Sequence, residues 1–239
     1  MRLTESIHWI GCGGVGPWFT HQGDCNVYLL RGPRGCVMVD VGGGEEPELI
    51  ERQLRWDGVR IEEIKALLLT HPHVDHTAGA PYWRKRCGAQ VFAPAKAAAY
   101  LRRGCEYAAS KPGTSSLPPC PVDVELSDEQ VFEACGLSFR AIAAPGHCDS
   151  MLCYLTALDG RKVLATGDCF YWGGKVTVFQ MPDADRKIFR ETLIKLRDVP
   201  FDAFLPGHRY PVLGGGKEHL ELAIAEIDRQ LAGQPAMRG

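Results

Sequence analysis

The sequence predicts an α/β protein in which two β-sheets are covered by helices. Short apolar segments typical of strands come first, helices and strands then alternate, and a second run of strands precedes the last helices. This order is typical of two packed sheets with helices on their outer faces. The length of 239 residues lies within the range of one α/β domain, so we expect residues 1–239 to form a single domain.

The first half of the chain contains three predicted strands, followed by alternating helices and strands. Apolar runs between glycine-rich turns predict the strands, and amphipathic spacing predicts the helices. In chain order, the predicted elements are strands Ser6–Ile10, Asn26–Arg31 and Cys36–Val41, helix Glu45–Trp56, strand Ala66–Thr70, helix Ala78–Cys87, strand Ala89–Ala93 and helix Ala95–Arg103.

The second half is predicted to begin with a loop and to return to strands. Lys111–Pro121 is rich in Pro, Gly and Ser, which is typical of a loop. Four strands are predicted between Val122 and Gly167, at hairpin-like spacing. The remaining predicted elements are helix Ala184–Arg197, strand Phe201–Leu205 and helix Lys217–Leu231.

Composition and charge argue against several classes of protein. The formal net charge is −2, which gives no overall attraction to nucleic acid. No run of 18 apolar residues occurs, and residues 1–8 lack the apolar core of a signal peptide. The ten cysteines include no Cys-x-x-Cys pair, so a structural zinc site of the usual spacing is not expected. Because no signal peptide is predicted, free thiols are expected rather than disulfides. We therefore expect a cytoplasmic protein with a small-molecule substrate and no nucleic-acid or membrane partner, and the oligomeric state stays open.

The most informative segment is His71–His76, with the sequence HPHVDH. It directly follows the apolar strand predicted at Ala66–Thr70, and it contains three of the eight histidines. Imidazole nitrogens and carboxylate oxygens are donors that suit zinc or iron. Four such side chains on a short loop after a strand indicate a metal site rather than a packing role.

The spacing within this segment predicts where its side chains point. Residues two apart point the same way in an extended chain, so His71, His73 and Asp75 share a face if the segment stays extended. Pro72 favours an extended conformation at His71. If a helix begins there instead, Asp75 and His76 can aim at a second point. The pattern therefore fits two adjacent metals better than one.

Three further candidate ligands repeat one local design. His147, Asp168 and His208 each follow a short apolar strand and a turn that ends in glycine. Glycine lets the backbone turn sharply and approach an ion closely. One histidine after a turn is weak evidence for a ligand, but three such positions and the histidine-rich segment together indicate one shared site.

In this order and spacing, the motifs resemble those of the metallo-β-lactamase-fold hydrolases. The resemblance spans about residues 6–210, and Asn26–Leu30 and Val37–Gly42 are similar to the opening strands of that family. It implies an α/β, four-layer αβ/βα sandwich with two divalent metal ions, zinc by preference and iron or manganese as alternatives, at one edge of the sheets. The ligands that it implies are His71, His73 and His147 of one ion, Asp75, His76 and His208 of the other, and Asp168 between the two.

Such a site implies hydrolysis by water, without a Ser or Cys nucleophile. Two divalent ions carry a charge of +4 and the two aspartates return −2, so a bound water should lose a proton readily. The bridging hydroxide would then attack an ester-like carbonyl, and Asp75 could orient it as a catalytic residue. The motif set is similar to those of glyoxalase II-type thioesterases and of lactonases. Asp168 disfavours the usual β-lactamase subclasses, which have Cys there or lack a bridging carboxylate.

Aromatic residues near these motifs are predicted to contact the substrate. Trp18 and Phe19 lie in a loop that tends to overhang the metals in the family, although such a loop can also pack on the protein's own core. Tyr171 and Trp172 follow Asp168 closely in sequence. Tyr171 is also predicted to be catalytic, because its hydroxyl could donate a hydrogen bond to an oxyanion, and a core position is the alternative.

Two other functional classes are compatible with the same residues. Some members of this family are mononuclear iron dioxygenases that act on persulfides, and a binding protein that kept the fold without catalysis is the other class. The identity and stoichiometry of the metal discriminate between dioxygenase and hydrolase. Cys148 and Cys169 each follow a proposed ligand, so either thiol could line the site.

Overall fold

Two β-sheets pack face to face between two layers of helices. The structure is a computed structural model, and it describes residues 1–15, 19–104, 117–179 and 181–233. Trp18 and residues 111–116 of the predicted loop therefore lie outside the described residues. Among the residues described, no helix is long and apolar enough to cross a membrane.

The first sheet has six strands in the order β1-β2-β3-β4-β5-β6. Its strands are β1 Ile7–Gly11, β2 Val27–Gly32, β3 Gly35–Val39, β4 Ile64–Leu68, β5 Gln90–Pro94 and β6 Val124–Leu126. The first three strands pair in antiparallel fashion, and β3 to β6 pair in parallel. Parallel neighbours need crossover connections. The crossover helices are α1 Pro47–Trp56, the short α2 Val74–Thr77, α3 Ala80–Cys87 and α4 Ala95–Arg103.

The second sheet has five strands in the order β11-β10-β9-β8-β7. Its strands are β7 Val131–Ala134, β8 Leu137–Ala143, β9 Leu152–Leu158, β10 Arg161–Gly167 and β11 Ala203–Pro206. Only the β10–β11 pair is parallel among these strands. The helices of this half are α5 Arg186–Lys195, which connects β10 to β11, and α6 Gly216–Leu231.

The prediction of four strands between Val122 and Gly167 was wrong, because the structure has five there. The short β6 joins the first sheet, and β7 and β8 are separated by only two residues, Cys135 and Gly136. Both of these residues have positive φ angles, of 55° and 82°, as a tight hairpin turn requires. Cysteine is not a typical turn residue, so the sequence did not mark this boundary.

The alternation of side chains along the strands divides the core into three apolar clusters. Successive residues of a strand point to opposite faces of the sheet. Tyr28 packs between the two sheets in a cluster that includes Tyr154 of β9, whereas Leu29 packs outward in a cluster with Ile50 of α1. On the other outer face, Phe189 of α5 belongs to the third cluster. The four-layer αβ/βα sandwich predicted from the sequence is therefore confirmed.

Candidate metal centre

Seven side chains meet at the edge where β4, β8, β10 and β11 end. The loops after these strands carry the histidines and aspartates predicted from the sequence, so strands from both sheets contribute to one place. Donor atoms within 4.8 Å of one another form overlapping groups: His71, His73 and His147; Asp75, His76 and His208; and His71, His76 and Asp168.

The first group consists of three imidazoles whose nitrogens face a common point. His73 Nδ1 lies 3.1 Å from His71 Nε2 and 3.0 Å from His147 Nε2. Nitrogens bound at roughly 2.0–2.1 Å to a tetrahedral zinc ion stand about 3.3 Å apart. The three nitrogens are therefore close to the spacing that one ion requires.

The chain turns from an extended conformation into helix α2 within the histidine-rich segment. His73 has φ −64° and ψ 146°, and the helix begins at the next residue, Val74. Asp75 and His76 therefore lie in the first turn of this helix and aim at a second point, which was one of the two possibilities in the sequence. Two backbone hydrogen bonds hold the turn, from Cys25 N to Asp75 O and from Val41 N to His76 O.

The second group lies beside the first, and Asp168 stands between them. Asp75 Oδ2 is 3.1 Å from His208 Nε2 and 3.5 Å from His76 Nε2. Asp168 Oδ2 is 3.4 Å from both His147 Nε2 and His208 Nε2, and its Oδ1 is 3.4 Å from His76 Nε2. One carboxylate therefore faces both groups, as a bridging ligand would.

Buried polar atoms at the centre of the cluster indicate that it fits cations. His76 Nε2 and Asp168 Oδ1 are buried, and neither has a hydrogen-bond partner among the described residues. Leaving such a buried atom unpaired costs about 1–3 kcal/mol, which a bound cation would offset. Five imidazoles and two carboxylates are a donor set that suits zinc, iron or manganese. The residues present therefore fit two divalent ions.

The pKa shifts divide the cluster: the carboxylates raise the pKa of His208 to about 10 and that of His76 well above its ordinary value, despite burial, whereas His71, His73 and Asp168 are held in the forms that bind a metal. Burial lowers the pKa of His73 to about 4, and it lowers that of His71 well below the ordinary value, so both rings are neutral near pH 7. Burial alone would raise the pKa of Asp168, but the facing imidazoles of His208 and His76 hold it well below its usual range. A neutral imidazole and an ionised carboxylate are the forms that bind a metal.

Asp40 orients His76 from behind, and sequence reasoning missed this role. Its Oδ2 accepts hydrogen bonds from His76 Nδ1 and Thr70 Oγ1, both at 2.8 Å, and its Oδ1 accepts from Thr70 N at 2.8 Å. A proton on His76 Nδ1 leaves the lone pair on Nε2, which faces the cluster. The one available signal in the sequence was a carboxylate at the end of the apolar strand β3.

Two other imidazoles are oriented in the same way. The Nδ1 atom of His71 lies 3.0 Å from Thr70 Oγ1, and that of His147 lies 2.9 Å from Thr177 O. In both cases a donated proton fixes the ring so that Nε2 faces the cluster. Thr177 is separated from His147 by thirty residues, so no local pattern could have predicted it.

A cavity of about 300 Å³ opens beside the two groups. Its lining residues are His73, Asp75, Asp168, Tyr171, Thr177, Phe179, His208 and Arg209. Tyr171 is therefore placed where the sequence predicted, and its hydroxyl interacts with the side chains of Asp168 and Thr177. Burial raises the pKa of Tyr171 well above its ordinary value, so the phenol stays protonated and can donate.

The other predicted substrate contacts do not line this cavity among the described residues. Phe19 packs edge-on against Trp9, with ring centroids 5.4 Å apart, so the alternative of packing on the protein's own core describes it better. Trp172 is 49% exposed and lies near the ring of Tyr210 rather than in the cavity. Trp18, the remaining predicted contact, lies outside the described residues.

The two thiols next to proposed ligands are turned away from the site. Cys148 and Cys169 are fully buried, and both belong to the apolar cluster beneath α5 and α6. Burial raises the pKa of Cys148 to about 12 and that of Cys169 well above its ordinary value. All described cysteines are free thiols, which confirms that expectation for this part of the chain.

Comparison with known proteins identifies relatives that match more than half of this chain. A hydroxyacylglutathione hydrolase of Albidiferax ferrireducens is 30% identical over 185 residues, which cover 77% of this chain and 61% of the relative. An atrochrysone carboxyl ACP thioesterase of Pseudocercospora fijiensis is 30% identical over 152 residues, or 63% of this chain and 38% of the relative. The chain thus spans less than two thirds of the length of either protein.

Solved structures share the fold at lower identity. A subclass B3 metallo-beta-lactamase of Bradyrhizobium japonicum superposes with a TM-score of 0.78 at 22% identity, over 98% of this chain and 94% of that one. A metallo-beta-lactamase of Cronobacter sakazakii gives 0.78 at 21% identity, over 99% and 95%. The sequence model of the metallo-beta-lactamase superfamily matches residues 22–208, which include all seven clustered side chains. The chain therefore belongs to the metallo-beta-lactamase superfamily.

Proposed function

We propose that this protein is a metal-dependent hydrolase that cleaves an ester-like bond of a small organic substrate. The observation that carries the proposal is the position of Asp168, which faces both ligand groups at the wall of an open cavity. One relative is named as a thioesterase and another as a hydroxyacylglutathione hydrolase, which favours a thioester over a lactone.

In this proposal, the seven clustered side chains hold two divalent ions. His71, His73 and His147 would hold the first, Asp75, His76 and His208 would hold the second, and Asp168 would contribute to both. Ions bound there supply Lewis acidity, which lowers the pKa of a bound water and polarises a substrate carbonyl. Zinc is the proposed metal, because nitrogen and oxygen donors suit it and it brings no redox chemistry.

Asp75 is proposed to orient the attacking water and to hold its proton. Asp75 lines the cavity, and its Oδ2 is near His208 and His76 at the distances given above. A carboxylate within hydrogen-bonding reach of the water can accept a proton and later deliver it to the leaving group. An Asp75→Asn variant that keeps its full metal content and full activity would rule this role out.

Tyr171 is proposed to donate a hydrogen bond to the oxyanion that develops on the carbonyl. The phenol is protonated, lines the cavity and interacts with Asp168, so it is held in place before the substrate arrives. Removing one donor of this kind typically lowers kcat about 10²–10³-fold. Tyr171→Phe is therefore expected to lower kcat far more than it raises KM.

The metal content of protein purified without added metal tests the proposal most directly. Two zinc ions per chain, with hydrolysis in a panel of thioesters, lactones and phosphodiesters, is the expected result. A single iron per chain with oxygen uptake on a persulfide would replace the hydrolase with the dioxygenase alternative.

Removal of one ligand tests the assignment of the site. His71→Ala is expected to abolish hydrolysis while the protein stays folded, because His71 lies on a loop after β4 and not within a strand. His21→Ala is the matched control, since His21 pairs with Glu45 and belongs to neither ligand group. An active His71→Ala enzyme would show that the site is assigned wrongly.

A further inference from the structure

Arg209 is a cation in the wall of the cavity, and it has no role in the proposed hydrolysis. Arg209 directly follows His208, its side chain is exposed, and it lines the cavity beside both ligand groups. Among the described residues, no acceptor lies within hydrogen-bonding or ion-pairing distance of its guanidinium group. Its positive charge is therefore available to interact with an anionic group of a molecule that enters the cavity.

The backbone at Arg209 is held in a conformation that costs free energy. Its φ angle is +64°, in the left-handed region that a residue with a β-carbon disfavours by about 1–2 kcal/mol. Conformations of this kind persist where the surroundings determine them, and they concentrate at functional sites. At Arg209, a hydrogen bond from the side chain of Asn26 holds this backbone conformation.

Asn26, at the start of β2, holds the whole turn that carries His208 and Arg209. Its backbone N donates to Gly207 O at 2.6 Å, and its Nδ2 donates to Pro206 O and to Arg209 O, both at 2.8 Å. Asn26 is buried, and its Oδ1 accepts from Trp9 Nε1 at 3.1 Å, which fixes the orientation of the amide. Asn26, next to strand β2 of the first sheet, therefore fixes the position of Arg209 beside the candidate ligands.

The rest of the described cavity wall contains both ionisable and aromatic side chains. Asp75 and Asp168 face the imidazoles at the distances given above. Phe179, which is 44% exposed, and Tyr171 supply the aromatic surface. A substrate whose carbonyl lies at the ligand groups would thus meet one free cation, Arg209, among the described lining residues.

We propose that Arg209 binds an anionic group of the substrate, so that the protein selects thioesters that carry a carboxylate. This inference rests on the proposed function. A guanidinium group presents paired N–H donors that match a carboxylate in a two-point contact, and a neutral substrate cannot make this contact. The carboxylate could belong to the acyl part or to the thiol part, and the experiment below distinguishes the two.

Two matched pairs of thioesters, which differ only in charge, test the selection. The first pair is the glutaryl thioester of N-acetylcysteamine and its neutral monoamide, and the second is the acetyl thioester of 3-mercaptopropionate and that of 3-mercaptopropanamide. For at least one pair, we expect zinc-loaded protein to have a kcat/KM about 10–100-fold higher for the anionic member. The pair that shows this preference identifies the side of the substrate that Arg209 contacts.

Substitution of Arg209 is expected to remove the preference. Arg209→Met should bring the ratio of anionic to neutral kcat/KM near one, and Arg209→Lys should keep part of it, because charge remains without the two-point geometry. Arg161→Met is the matched control, since Arg161 begins β10 at the end of the strand opposite Asp168. An absent preference in the wild type, or its persistence in Arg209→Met, overturns the proposal.

Equilibrium binding separates this proposal from the hydrolase proposal. We expect zinc-loaded wild type to bind glutarate about tenfold more tightly than glutarate monoamide in calorimetry, and Arg209→Met to bind both equally. If no thioester, lactone or phosphodiester is hydrolysed, the proposed function fails, but this difference still decides the role of Arg209. Equal affinities in the wild type overturn it.

Discussion

Replacement of Gly207 by alanine probes how closely the ligand loops approach each other. A β-carbon at this position would lie 2.5 Å from His76 Cε1 and closer still to Asp168 Oδ1. The backbone cannot retreat easily, because Gly207 N donates to Gly167 O at 2.7 Å and Gly207 O accepts from Asn26 N at 2.6 Å. The added methyl group must therefore displace two of the proposed ligands.

The size of the displacement sets the expected effect. Nonbonded carbon atoms are at their optimal separation at about 3.5–4.0 Å, so His76 must move by about 1 Å, and Asp168 by somewhat more. A misplacement of about 1 Å at a reacting centre can lower the rate about 100-fold. We expect Gly207→Ala to lose about 100-fold in kcat/KM and to bind zinc more weakly, and overpacking should also lower the free energy of unfolding by about 1–3 kcal/mol.

Gly214→Ala is the control for this experiment. Its added β-carbon would meet no atom within 4 Å, and its φ angle is not positive. We expect its kcat/KM and zinc content to match the wild type within about twofold, since a surface substitution away from special features changes stability by about 0.5 kcal/mol or less. If Gly207→Ala has the zinc content and kcat/KM of the control, the close approach of Gly207 to His76 and Asp168 is not needed for activity.

Three more predictions concern support of the site and stability. Asp40→Asn replaces one acceptor oxygen by an NH₂ group that faces a donor of His76 or Thr70, so zinc affinity should fall about 10–100-fold. Competition with a chromophoric chelator measures this affinity, and an unchanged value would contradict the orienting role of Asp40. Asp185 caps α5 by accepting from Lys187 N and Ile188 N, so Asp185→Ala should lower the free energy of unfolding by about 1 kcal/mol and Tm by about 2–4 °C, with activity retained. Removal of metal by a chelator should lower Tm by several degrees, because an ion at 100 times its Kd stabilises the folded state by about 2.7 kcal/mol. An identical Tm before and after treatment would argue against a bound ion.

The sequence could predict the ligands because each one has a local signature. His71, His73, Asp75 and His76 are crowded after one strand, and His147, Asp168 and His208 each follow a strand and a glycine turn. This repeated design and the histidine-rich segment together predicted one shared site, and the structure brings the seven side chains together.

The residues that support these ligands could not be found in the same way. Asp40, Thr177 and Asn26 are ordinary polar residues at strand ends or in loops, and their roles depend on hydrogen bonds across the sheets. Asn26 contacts a turn that lies about 180 positions further along the chain. Such contacts depend on which loops the folded chain brings together, and this arrangement has no periodic signal in the sequence.

The aromatic residues show the limit of predicting contacts from proximity in sequence. Tyr171 and Trp172 were both predicted from their proximity to Asp168, yet only Tyr171 is among the described residues that line the cavity, and Phe19, predicted from a loop of the family, packs on Trp9. Trp172 is the neighbour of Tyr171 and lies outside that cavity. A side chain's direction depends on the local turn and on its neighbours, and sequence adjacency does not determine either.

By itself, the sequence determined the layered α/β architecture and the superfamily resemblance, and it predicted the seven candidate ligands, because strand periodicity and clustered histidines are local properties of the chain. Only the tertiary structure decided that Asp40 holds His76, that Thr177 holds His147, and that Asn26 holds the turn that places Arg209 at the cavity. These three facts depend on distances of about 3 Å between residues far apart in sequence. Such distances are set by how the loops after the strands meet in the folded protein, and the proposed substrate preference depends on the same arrangement, which places Arg209 at the cavity.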